Sequence, residues 1–216
     1  MSLHNVFAEI HPDWYRQAGT ADATDREAGA IDGDLLQQAC NSVLGRRMLA
    51  RWLMHDIGGE LFAPRPDGAV SATVLRWPRP RLAALSRDLG ALAFAPAIRA
   101  EVRREPVRQL KRALGNSYLL ALDKQVWDGN GKPELAALLQ AELVEALPAS
   151  QDDAVLHDLL DRHGRSELHA WAVQHDPALA EWLALQYPRE PRRATHLPEQ
   201  QVLFLHDHHL ARARAS

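Results

Sequence analysis

Residues 77–122 read WPRPRLAALSRDLGALAFAPAIRAEVRREPVRQLKRALGNSYLLAL. Leu82, Leu85, Leu89 and Leu92 recur at 3- and 4-residue steps, which places them on one side of an α-helix. Pro78 and Pro80 lie just before that run, where a missing N–H costs least, and Pro96 is expected to end it. A short segment with Ile98 and Val102 follows. Pro106 then suits the first turn of another helix, whose apolar side is Val107, Leu110, Leu114, Tyr118 and Ala121. The sides between are basic. From Arg76 to Arg112 there are ten Lys/Arg against Asp88, Glu101 and Glu105, a local excess of seven positive charges in a chain of net −3. Arg99, Arg103, Arg104, Arg108, Lys111 and Arg112 follow one another on two segments joined at Pro106. With the apolar sides turned inward, their charged heads are expected to face outward and form a partner-binding surface.

On the N-terminal side, Asp32 or Asp34 can cap a helix running to about Asp56, with Gly58-Gly59 as its stop. Pro66-Asp67-Gly68 is a turn signal, and Val70, Ala72 and Val74 alternate after it, so a small hairpin near 60–76 competes there with an irregular loop. Residues 1–30 show little periodicity. Phe7, Trp14 and Tyr15 read as a tether, docked on the core or on a partner, before a small, acidic linker at 19–30.

On the C-terminal side, Pro133-Glu134 opens a helix that Pro148 closes. Ser150 starts a helix expected to end at Gly164, Ser166 caps a short helix through Trp171, and Asp176-Pro177 starts another through Tyr187. Residues 188–198, PREPRRATHLP, read as an extended connector to a last helix over about 199–213. The pattern therefore predicts an all-α fold, a compact multi-helix orthogonal bundle. Its expected divisions are an arm and linker at 1–30, a helical domain at 31–187, and a connector with C-terminal helix at 188–216.

At 216 residues and 46% apolar, the chain can bury a sizeable core and is not a disordered composition. No run approaches the length of a membrane span, and MSLHNVFAEIHPDW lacks the basic start and apolar run of a leader. A single cysteine, Cys40, rules out an internal disulfide, fits a reducing cytoplasm, and reads as a small packed residue.

Eleven histidines invite a metal reading. His157, His163, His169 and His175 are six apart, a rotation of about 240° per step that scatters them around a helix. His206-Asp207-His208-His209 is denser, but neighbouring residues point about 100° apart and no distant partner motif is evident. Asp128, Asn130 and Lys132 lack the closing carboxylate of a calcium loop, since Leu139 stands there. There is no phosphate-binding glycine loop, nucleophile elbow or C-x-x-C. Leu85–Gly90 is like the first half of a helix-turn-helix, yet Pro96 falls where its recognition helix belongs. The residues thus describe an interaction module without catalytic machinery, and no cofactor is expected. A nucleic-acid-binding regulator is the second reading and a metal-dependent hydrolase the third.

Leu89-Gly90, then Ala97-Ile98-Arg99, Val102, Pro106 and Gln109-Leu110 resemble the central signature of the YscK-like (SctK) family. His11-Pro12-Asp13-Trp14 resembles a His-Pro-x-Trp segment of some members, and Leu44–Arg47 a Leu-Gly-Arg-Arg run. Members are cytoplasmic sorting-platform proteins of type III secretion injectisomes. The resemblance implies a non-enzymatic adaptor at the cytosolic face of the inner membrane, bridging the ring protein's cytoplasmic domain to the C-ring-like pod subunit. With it, Trp14 joins the six basic residues as an expected partner contact.

Overall fold

The structure, a computed structural model, describes residues 10–11, 14, 33–56, 60, 63, 70–74, 77, 79–129, 133–147, 153–188 and 193–215. In chain order the helices are α1 (Gly33–Asn41), α2 (Val43–Asp56), α3 (Ser71–Val74), α4 (Arg79–Ala93), α5 (Ala95–Ala100) and α6 (Arg104–Leu114). They continue with α7 (Asn116–Leu122), α8 (Pro133–Ala146), α9 (Ala154–His175), α10 (Pro177–Gln186) and α11 (Glu199–Ala215). The fold is all-α, with no strand among the described residues. Phe7, Tyr15, the 19–30 linker, Gly58-Gly59, the 66–68 turn, Pro148, Ser150 and the Cys40 side chain lie outside them. Contacts divide the chain into two compact units, Met1–Arg76 with Ala172–Pro191, and Trp77–Trp171 with Arg192–Ser216. Nothing in the hydrophobic pattern over 31–187 marks that division.

In the first unit, the single helix expected up to Asp56 is broken at Ser42. Its Oγ accepts the Gly45 N–H at 2.8 Å, the bond of a helix N-cap, so a second helix starts there. Leu36 of α1 and Leu49 of α2 are buried. Asp176 is the unit's polar hub. Its buried carboxylate accepts from Leu179 N (3.2 Å) at the head of α10 and from Ser71 N (2.7 Å) at the head of α3. One side chain thereby satisfies orphan donors of two helices. The second bond also corrects the hairpin expected near 60–76. Residues 71–74 form a helical turn rather than a strand, and Val74 is fully buried beneath it.

The second unit is built on a backbone crossing of α4 with α9. A Cβ on Gly90 would overlap the Leu160 carbonyl, and one on Gly164 would overlap the Ser86 carbonyl and lie 2.7 Å from Gly90 N. Gly164 therefore does not end a helix, as expected, but sits inside α9. A glycine there costs about 1 kcal/mol in helix propensity, offset by the close approach it allows. Ser166 is likewise not a cap: its Oγ donates to Arg162 O at 3.1 Å within the helix. Around the crossing, Leu82, Leu85, Leu89, Ile98, Leu110 and Leu114 are all buried, as the periodicity predicts, and Phe94, Leu156, Leu160 and Leu168 join them.

Pro96 plays a different part from the one expected. It falls in the first turn of α5, so it opens that helix after Phe94 separates it from α4. Gly115, at φ 51°, makes the turn between α6 and α7. The connector has no regular secondary structure over 193–198 and is held by Glu167, only 3% exposed, which accepts from His196 N (3.0 Å) and Leu197 N (3.1 Å).

The crossing makes a signed prediction for Gly164→Ala. Propensity alone gives a gain of about 1 kcal/mol, whereas overpacking two backbones costs about 1–3 kcal/mol or more. Urea denaturation should show a less stable protein with helical circular dichroism retained. A variant as stable as the parent would mean that α4 and α9 do not meet this closely.

Candidate functional site

The basic stretch builds a surface from α5 and α6, and the structure sorts its cations into three groups. Arg99 is only partly exposed, and its guanidinium is held by the fold. Its guanidinium donates to the carbonyls of Ala121 (2.8 Å), Asp123 (3.3 Å), Asp128 (3.2 Å) and Trp127. These groups lie at and beyond the C-terminus of α7, where carbonyls lack helical partners and a cation is favoured. Burial depresses the Arg99 pKa, against the opposing charges of Asp128 and Asp123.

Arg103, Arg108 and Arg112 point outward but are paired. Arg103 Nη2 donates to Glu101 Oε2 at 2.6 Å and its Nε to Oε1 at 3.0 Å, a fork that holds the Glu101 pKa down to about 2. Arg108 donates to Glu105 at 3.1 Å within the first turns of α6. Arg112 reaches Asp153, just ahead of α9, with bonds of 3.0 and 2.7 Å, and these hydrogen bonds, helped by its charge, lower the Asp153 pKa.

Arg104 and Lys111 remain. Both are exposed on α6 and make no ion pair among the described residues, while the Lys111 ammonium stands 5.6 Å from the Tyr118 ring. Arg104, Arg108 and Lys111 occupy i, i+4 and i+7 of one helix side, about 100° around the helix from the buried Leu110 and Leu114. The outward basic face is therefore narrower than the sequence suggests. Trp14 lies elsewhere, in the first unit: its Nε1 donates to Tyr187 O at 2.9 Å and it is half-buried. The neighbouring His11 N donates to Leu185 O at 2.8 Å, so this part of the arm docks on its own chain.

A groove of about 700 Å³ opens within the second unit, walled by α4, by the α6–α7 turn and by α11. Leu114 and Leu205 line its apolar part, with Phe204 half-exposed and Arg87, His208 and Arg212 among its polar lining. On its wall Asp88 accepts from Ser117 Oγ and, at 2.8 Å, from His209 Nε2. Serine, aspartate and histidine meet here, yet not as a nucleophile–base pair. The carboxylate stands between the hydroxyl and the imidazole, whereas activation of serine needs the imidazole in the middle. The cluster fastens α11 to α4 and α7 instead. Nothing in the sequence marks it, since its members come from three distant segments.

The histidine-rich end of the chain is fastened in the same way. His206 stacks on Trp77 with ring centroids 5.6 Å apart and bonds Asp207 at 3.0 Å, while His209 turns to Asp88. Arg81 lies over the Trp77 ring at 4.0 Å and donates to His209 O. Among the described residues no three His, Cys, Asp or Glu side chains converge as metal ligands. Likewise, no helix there is long and apolar enough to cross a membrane. Set against protein-family models, curated proteins and solved structures, the chain matches none of them.

His163 carries the clearest buried titration. Its ring is 2% exposed and meets Phe94 edge-on at 4.7 Å, with Nε2 2.7 Å from Glu142 and 2.9 Å from Arg193. Burial pushes its pKa down more than Glu142 raises it, and the Arg193 charge adds to the depression. The folded state thus binds this proton less readily than the unfolded chain. His163 should contribute stability above the ordinary histidine pKa near 6.5 and lose it as pH falls below that value. Urea midpoints at pH 7.5 and 5.5 should differ more for the parent than for His163→Gln. Equal differences would place the ring outside the acid response.

Proposed function

We propose that this chain is a non-enzymatic adaptor of the bacterial type III secretion sorting platform. It would work at the cytosolic face of the inner membrane, joining the cytoplasmic domain of the ring protein to the C-ring-like pod subunit. One observation carries the reading: Leu89, Gly90, Ala97, Ile98, Arg99 and Leu110 of the YscK-like signature are residues on which the second unit depends, while Val102 of the same signature is exposed. Gly90 lies in the helix crossing, Ile98 and Leu110 are buried, and Arg99 holds the carbonyls beyond α7. A likeness seated in such residues is one that a shared fold would preserve, because a larger residue at Gly90 or a neutral one at Arg99 disrupts backbone contacts.

Bridging is an assembly activity and needs surfaces rather than a reaction. The α6 side bearing Arg104, Arg108 and Lys111 supplies positive potential for an acidic face of a ring or pod protein. Charge there mainly sets encounter rate and register. The test is Arg104→Glu with Arg108→Glu and Lys111→Glu. Its thermal melt should stay close to the parent's, because exposed charges contribute about 0–1 kcal/mol each. Affinity for the ring or pod protein should drop about tenfold or more, and the remaining association should depend less on salt. Unchanged affinity for both partners rejects this side of α6. If the parent instead held random duplex DNA at physiological salt and the variant released it, the nucleic-acid reading would replace the adaptor.

A further inference from the structure

We propose that the outer stripe of α2 is a docking face for an amphipathic, acidic helix of a protein partner. The stripe comprises Leu44, Arg47, Met48 and Arg51, which stand at i, i+3, i+4 and i+7 and so share one side of the helix. All four are exposed, whereas Leu49 on the other side is buried. Leu44 and Met48 are 69% and 65% exposed, and Val43 beside them 62%, an unusual outlay of large apolar side chains on one helix. Leu44 and Met48, four residues apart, form a ridge of the kind that fits between the side chains of a second helix. Methionine adapts its shape to such a neighbour.

Charge decides which helix. Arg47 and Arg51 interleave with the apolar pair, and neither forms an ion pair among the described residues. The α2 sequence, VLGRRMLARWLMHD, has no acidic residue before Asp56. Carboxylates spaced along an apolar partner helix would complement both features at once. A second copy of this chain would instead bring the same arginines to the interface. The chain's own acidic segment, 19–30, offers Asp22, Asp25 and Glu27 but no large apolar side chain to cover Leu44 and Met48. A helix lying in a bilayer surface separates its basic and apolar residues onto opposite faces, while here they alternate on one. This inference concerns the first unit alone and stands apart from the injectisome reading.

The experiment uses the full chain and a fluorescein-labelled synthetic helix with leucines four residues apart and glutamates on the same stripe. A matched helix with lysine in place of glutamate serves as the control. The parent should bind the glutamate helix at least tenfold more tightly than the lysine helix. Leu44→Ala with Met48→Ala should weaken that binding tenfold or more without moving the melt. Arg47→Glu with Arg51→Glu should reverse the preference, releasing the glutamate helix and gaining the lysine one. Equal binding of the two helices, binding of neither, or indifference to both variants would overturn the proposal. Two further results would replace the occupant: sedimentation of the parent with phosphatidylglycerol vesicles, or a parent dimer, either one abolished by the Leu44/Met48 variant.

Discussion

Two helix backbones touch where Gly90 faces Leu160 and Gly164 faces Ser86, and the second unit follows from that contact. Removing two Cβ atoms lets α4 and α9 approach closely enough for their carbonyls to become packing surfaces. The side chains on either flank, Leu85, Leu89 and Leu92 from α4 and Leu156, Leu160 and Leu168 from α9, are all fully buried. Beside the crossing Arg87 bonds Asp161 through two contacts of 3.0 and 2.8 Å, which fixes the rotation of one helix about the other. The next residue, Asp88, receives α11 through His209 and α7 through Ser117. A single helix thus meets α9 at its glycines and collects two further elements at its polar edge.

The basic stretch serves the fold before it serves any partner. Arg99 is spent on main-chain carbonyls, and Arg112 ties the end of α6 to the start of α9. The potential left on the surface is carried by Arg104, Lys111 and the loosely paired Arg108. Recognition by such a face is adjustable, because exposed charges are screened by salt and contribute little to stability. The first unit offers another kind of surface, in which apolar area and charge share one helix side.

How much of this was legible follows the range of the interactions. Heptad-like leucines in α4, the Asp176-Pro177 start of α10 and the proline at the head of α8 are local signals, and local physics decides them. Gly164 misleads because a glycine near a helix end ordinarily terminates it, and the reason it does not lies on another helix. Ser42 splits a helix that the apolar pattern carries through, since one hydroxyl bond is invisible to periodicity. The alternation at 70–74 points to a strand until Asp176, from far along the chain, caps that turn. For the candidate site, the α6 stripe was readable and its Glu105 partner lies within one turn. The Asp153 partner of Arg112 and the carbonyl contacts of Arg99 were not, because their acceptors come from other elements. Asp88, Ser117 and His209 carried no signal at all.

The account rests on α4 and α9 forming one cooperative body through their glycines. Native-state hydrogen exchange measures that directly, since amides that open only together share one opening free energy. Amides of Leu89–Leu92 and of Leu160–Leu168 should exchange last in the second unit, with a common opening free energy that Gly164→Ala lowers equally in both helices. Unequal opening free energies, or an effect of the substitution confined to α9, would contradict the crossing as the constraint on which the unit is built.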